Sequence, residues 1–248
     1  MNTILKSLFS VILMASLQLF SITANSQSII AEKQQPEVLD LVFILDKSGS
    51  MSGFESDTIG GFNSVLAENR NKNGDVFITT VLFNDKTTLL HNREPINKVK
   101  NLTLDDYKVG NNTALLDAVG DTIVKIQENR KITKNNNVLF VIITDGEENS
   151  SHKYSQSKIK SMIKSAETED KWDFIFLGAN IDAITAADSI GISRSKATGY
   201  VQDEVGYDKA YKAINNAVES KKNSAPISGE WKKKSKQMRR IALKNKVT

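Results

Sequence analysis

Five consecutive residues, Asp46-Lys47-Ser48-Gly49-Ser50, put one carboxylate and two hydroxyls in one loop. A third hydroxyl, Thr113, and a second carboxylate, Asp145, stand at two later junctions of the apolar pattern. These are hard oxygen donors, suited to Mg2+ or Mn2+ rather than to zinc or copper. Mg2+ takes about six oxygens at near-octahedral angles and keeps some waters. Three hydroxyls and two carboxylates, partly acting through water, therefore leave at least one place for an outside ligand. Hydroxyls carry no charge, so an ion held mostly by them stays electrophilic. A carboxylate from a partner would then be a favourable last ligand. Taken alone, Asp46 could cap a helix and Ser48-Gly49-Ser50 could be an ordinary turn. The positions of Thr113 and Asp145 favour the metal reading.

The elements that must position these groups follow from the periodicity. Val38–Asp46 is an apolar run ending in aspartate, and it reads as a strand buried on both faces of a parallel sheet. Ligand sites of open α/β sheets lie at the carboxyl ends of such strands. Ile59, Phe62, Val65 and Leu66 predict an amphipathic helix over Phe54–Asn69. Strands are expected at Val76–Phe83 and Thr87–His91, joined by a hairpin turn at Asn84-Asp85-Lys86. Arg93–Val109 reads as a loop with one helical turn at Thr103–Tyr107. A helix over Ala114–Glu128 buries Leu115, Val119, Ile123 and Ile126 on one face. Val138–Thr144 is the most apolar strand and must be central.

Ile159, Met162, Ile163 and Ala166 mark the next helix, and Trp172–Leu177 the next strand. Asp182 caps a helix to Ile190, which Gly191 ends. A short strand near Ala197–Val201 and a helix over Glu204–Glu219 complete the domain; Tyr207, Tyr211, Ile214 and Val218 share that helix's inner face. This alternation predicts an α/β fold: a doubly wound, mostly parallel sheet with one antiparallel edge strand and helices on both faces. The first and fourth strands are expected as neighbours, so their loops converge.

Asp46-x-Ser48-x-Ser50, with Thr113 and Asp145 in later loops, resembles the metal-ion-dependent adhesion site of von Willebrand factor type A domains. The resemblance covers roughly residues 38–219. It implies a Rossmann-like fold, a bound Mg2+ or Mn2+, and capture of a protein partner's exposed Asp or Glu rather than catalysis. It also implies direct ligation by Ser48, Ser50 and Thr113, and direct or water-mediated ligation by Asp46 and Asp145. The acidic pair that some integrin domains carry after the second serine is not matched, because Ser52, Gly53 and Phe54 stand there. A second regulatory ion is therefore not expected.

Composition excludes other chemistries. The chain of 248 residues has no cysteine, so disulfides, thiolate zinc sites, iron–sulfur clusters and a cysteine nucleophile are ruled out. His91 and His152 are the only histidines, and they read as a strand-end residue and a loop residue. Asp46 as a phosphate-accepting nucleophile would want a second acid two residues on, where Ser48 stands. The Gly-x-Ser-x-Gly elbow of serine hydrolases is missing. Glu147 and Glu148 read as solvated loop acids or supports rather than ligands. No catalytic residue is assigned and no enzymatic activity is expected; the alternatives are a metal-dependent hydrolase using the same ion and an envelope-associated structural protein docked by its basic tail.

Both ends differ in character. Residues 1–26 carry one charge, Lys6, a mostly apolar run from Ile4 to Ala24, and small residues at Ala24 and Ser26. That is the pattern of a cleaved signal peptide, with a retained membrane anchor as the alternative. A secreted or periplasmic location follows, with a linker at 27–37 and the type A domain at 38–220. Residues 221–248 hold ten Lys or Arg against one acid, Glu230. Such a tail suits an anionic envelope surface, with a plain solvated tail as the simpler reading; nucleic acid is not expected.

Overall fold

The computed structural model describes residues 38–72, 75–179, 181–201 and 203–232. The expected signal peptide, the whole linker at 27–37 and the tail beyond 232 lie outside the described residues. Six strands are described: β1 (Leu39–Asp46), β2 (Val76–Phe83), β3 (Thr87–Pro95), β4 (Val138–Thr144), β5 (Asp173–Ala179) and β6 (Ala197–Tyr200). The α-helices are α1 (Glu55–Arg70), α2 (Leu115–Thr133), α3 (Gln156–Thr168), α4 (Ala183–Ser189) and α5 (Glu204–Lys222). The strands form one sheet in the order β3-β2-β1-β4-β5-β6. All pairs are parallel except β2–β3.

Chain order therefore runs outward from β1 in one direction and from β4 in the other. Between them lies the switch point, where doubly wound sheets open a crevice outside the strands' carboxyl ends. Leu45 pairs with Ile143, which sets Asp46 level with Thr144 and Asp145 one residue beyond. Two of the candidate loops thus flank the switch point by register alone.

Period-two alternation divides the core between the sheet's two faces. Leu39, Leu41, Phe43 and Leu45 face one layer with Phe62, Tyr211 and Val218 of α1 and α5. Val42 and Ile44 face the other, with Val119 and Ile123 of α2 and Ile163 of α3. Every residue of β1 and β4 is buried, as strands covered on both faces must be.

Several boundaries differ from expectation. β3 runs on to Pro95 rather than stopping at His91, because an antiparallel edge strand tolerates the polar Asn92, Arg93 and Glu94. His91 is consequently a mid-strand residue whose ring stacks 6.4 Å from that of Phe62. α2 continues past Glu128 to Thr133 and ends at Lys134 in the left-handed conformation, with φ of 58°. The chain also stays packed against the domain past residue 220, since Ile227 and Trp231 are buried in the α1/α5 layer. Among the described residues no helix is long and apolar enough to cross a membrane.

Candidate metal centre

Asp46 ends β1 and is fully buried. One carboxylate oxygen accepts the Ser48 backbone N–H at 2.7 Å, and the other accepts the Thr144 hydroxyl at 2.5 Å. Both oxygens are thus engaged in folding the loop. Its backbone carbonyl accepts a hydrogen bond from the buried Tyr107 hydroxyl. Burial pushes the Asp46 carboxyl up to about 6, against the opposing pull of the Thr144 and Ser48 hydrogen bonds. The same loop turns through a short 3-10 segment, Gly49–Met51, which brings Ser48 and Ser50 side by side. Their hydroxyls lie 3.2 Å apart, and Ser50 donates to Asp145 at 2.6 Å.

Thr113 is buried just ahead of α2. Its N–H donates to the Asn149 side chain at 2.9 Å, and its carbonyl accepts the N–H groups of Asn149 and Ser150 at 3.0 and 3.2 Å. Asn84 ties in the β2–β3 turn: its carbonyl accepts from Ala114 and its side chain donates to the Gly110 carbonyl. Gly49 donates to the Asn111 carbonyl. The loops after β1, before α2 and after β4 are therefore stitched to each other through the backbone.

Gly146 lines the point of convergence. A Cβ built on it would lie 2.8 Å from the Thr113 hydroxyl, 3.3 Å from that of Ser50 and 3.5 Å from that of Ser48. All five candidate residues, Asp46, Ser48, Ser50, Thr113 and Asp145, meet at this carboxyl-end crevice. The cradle is rich in hydroxyls, and among the described residues no group of three or more His, Cys, Asp or Glu side chains is arranged to hold a metal. The donor set and the space kept open by Gly146 fit a small hard cation.

Supporting residues extend beyond the five. Of the two readings open for Glu148, solvated loop acid or support, the structure shows the support: its carboxylate accepts the Leu116 N–H at 2.9 Å and the Ser151 hydroxyl at 2.8 Å. It also accepts the N–H groups of Ser150 and Ser151. Ala114 gives α2 no side-chain cap, so Glu148 and Ser151 satisfy its first donors from another loop. Glu148→Ala is expected to cost about 1–2 kcal/mol, as loss of a helix cap does. Urea unfolding should show it, with Glu148→Gln closer to wild type. Tyr107, Thr144 and Gly146 were invisible as site residues; the one local signal was that Thr144 and Gly146 bracket Asp145.

No curated protein matches the chain. Solved structures of similar fold include proximal thread matrix protein 1 from the mussel byssus, at 15% identity and TM-score 0.50, covering 73% of this chain and 46% of that one. A mutant of the PilB minor pilin from Streptococcus sanguinis aligns at 11% identity and TM-score 0.50, covering 78% of this chain and 64% of that one. A von Willebrand factor type A protein from Catenulispora acidiphila aligns at 12% identity and TM-score 0.49, covering 73% and 42%. The chain thus spans less than two thirds of each of those chains. The family model described as VWA domain containing CoxE-like protein matches residues 13–168. The chain belongs to this family of von Willebrand factor type A domain proteins.

Proposed function

We propose that this protein binds a protein partner through a divalent ion, Mg2+ or Mn2+, held by Asp46, Ser48, Ser50, Thr113 and Asp145, with an exposed Asp or Glu of the partner as the last ligand. The observation that carries the reading is the convergence of three hydroxyls on the space that Gly146 leaves open. A bound ion would supply a positive centre for a carboxylate. Asp46 has both oxygens committed to Ser48 and Thr144, so it orients the loop and reaches an ion through water. Ser48, Ser50 and Thr113 offer neutral oxygens, which leaves the ion's charge largely uncompensated. That balance favours gripping an anionic group from outside. His91 lies on β3 against Phe62, away from the cradle, and the backbone N–H of His152 donates to Asp117 of α2. On the pattern of residues 1–26 we place the protein outside the cytoplasm, with the basic tail as a second contact to an anionic envelope surface.

Calorimetric titration with Mg2+ and Mn2+ tests the reading. Wild-type protein is expected to bind, and Ser48→Ala and Asp145→Ala to lose most of the heat. Unchanged binding in both variants would sink the metal assignment. Partner capture from the native envelope should then depend on Mg2+ and disappear with chelator.

A further inference from the structure

A cavity of about 420 Å³ opens beside the cradle, between the loop after β4 and helix α4. Gly146 belongs to its wall and is the residue on which the three hydroxyls converge. Cavity and cradle therefore adjoin at one glycine. Leu115, Leu116, Phe176, Ile181 and Ile190 give the cavity an apolar wall, with Gln156, Thr185 and Ser189 beside it. Glu147 and Asp182 stand on its rim and are exposed. Among the described residues Glu147 forms no salt bridge, while Asp182 caps α4 through the Ile184 and Thr185 N–H groups and feels the charge of Arg194. Ala186 lines the cavity from α4.

This is more apolar surface than a carboxylate alone would use. Resting on the metal-bridged reading above, we infer that the cavity selects the partner. Its occupant is a large apolar side chain on the same extended segment that supplies the acidic ligand, and a Lys or Arg of that segment faces Glu147 and Asp182. In an extended chain, side chains two residues apart point to one face and are about 7 Å apart. One face can then present the carboxylate to the cradle and the apolar group to the cavity across Gly146. The volume sits at the lower end of ligand pockets, about 300–1,000 Å³, which suits a side chain with its flanks. The recognised motif is an acidic residue with Leu, Met or Phe two positions away and a basic residue beyond it.

The probes are fluorescein-labelled glycine–serine peptides with one central Glu, a residue X two positions to either side, and Lys or Ser at the ends. Fluorescence polarisation is read on the full chain with Mg2+ and with chelator. Leu, Met or Phe at X is expected to tighten Mg2+-dependent binding about ten-fold or more over Gly, the worth of burying one such side chain. Ala186→Trp, which fills the cavity, should erase that preference while calorimetric Mg2+ affinity stays as in wild type. Ile181→Ser, which removes part of the lining without adding bulk, should weaken it too. Glu147→Lys should reverse the preference for Lys at the ends. Mg2+ binding together with Glu-peptide binding that ignores X overturns the cavity's role, and so does Mg2+ binding with no peptide bound. Failure of wild type to bind Mg2+ in the calorimeter overturns the metal reading and this one with it, so the two failures are told apart.

Discussion

Gly146→Ala is expected to weaken Mg2+ binding about 100-fold, the upper range for changes just outside a metal's ligands, while the fold stays intact. The added methyl carbon would sit 2.8 Å from the Thr113 hydroxyl, closer than carbon and oxygen settle, so Thr113 must move. It would also press on the hydroxyls of Ser50 and Ser48, at 3.3 and 3.5 Å. Small hard cations demand near-ideal geometry, and a displaced hydroxyl cannot follow the ion. Stability should hardly suffer. Gly146 has a negative or extended φ that alanine adopts, since it is not among the positive-φ glycines. Replacing Gly by Ala at such a position gains about 0.4–1 kcal/mol through the unfolded chain, which offsets the local crowding. Calorimetry with Mg2+ and Mn2+ beside thermal melts of the metal-free protein separates the two effects. Wild-type affinity in the variant would show that the space beside Gly146 is not where the ion sits.

That glycine illustrates what the sequence could and could not disclose. β2 and β4 begin and end where the apolar runs do, at Val76–Phe83 and Val138–Thr144. Strands buried on both faces have no room for polar residues, so their limits are written in composition. Helical faces were equally plain: Leu115, Val119, Ile123 and Ile126 are all buried as their spacing requires. Edges were harder, because an edge strand such as β3 can keep Asn92, Arg93 and Glu94 and still pair. The five oxygen donors were legible as types at element junctions. Their supports were mostly not, and Glu148, readable as a support, did not show what it supports. Tyr107 reaches the Asp46 carbonyl across 61 residues, Thr144 reaches its carboxylate across 98, and Glu148 caps α2 across 32. Such partnerships depend on which strands become neighbours, and nothing local announces them.

Asp46→Asn is expected to stabilise the metal-free protein above pH 6 and to remove its response to Mg2+. The wild-type carboxyl is pushed from 3.8 up to about 6 by burial, with the neighbouring Asp145 adding to the rise. Between those values the folded protein holds a proton that the unfolded chain has released. Stability from this group is therefore present below pH about 4 and falls as pH rises towards 6. At 1.36 kcal/mol per pKa unit the loss is on the order of 3 kcal/mol at neutral pH. A carboxamide carries no charge to desolvate and keeps the local bonds. Its oxygen can accept from the Ser48 N–H, and its amide can donate to Thr144, whose hydroxyl has the Gly146 carbonyl within 3.2 Å as an alternative acceptor. Urea unfolding in chelator should rank Asp46→Asn above wild type by about 1–3 kcal/mol at pH 7.5, with the gap closing towards pH 4. Saturating Mg2+ should close or invert the gap, because ligand at about 100 times Kd stabilises the binding-competent protein by about 2.7 kcal/mol, comparable with the gap itself, and leaves the variant unchanged. A gap that stays constant from pH 4 to 7.5 would show that Asp46 carries no buried charge. A gap that Mg2+ leaves unchanged would show that this carboxylate is not part of the cradle.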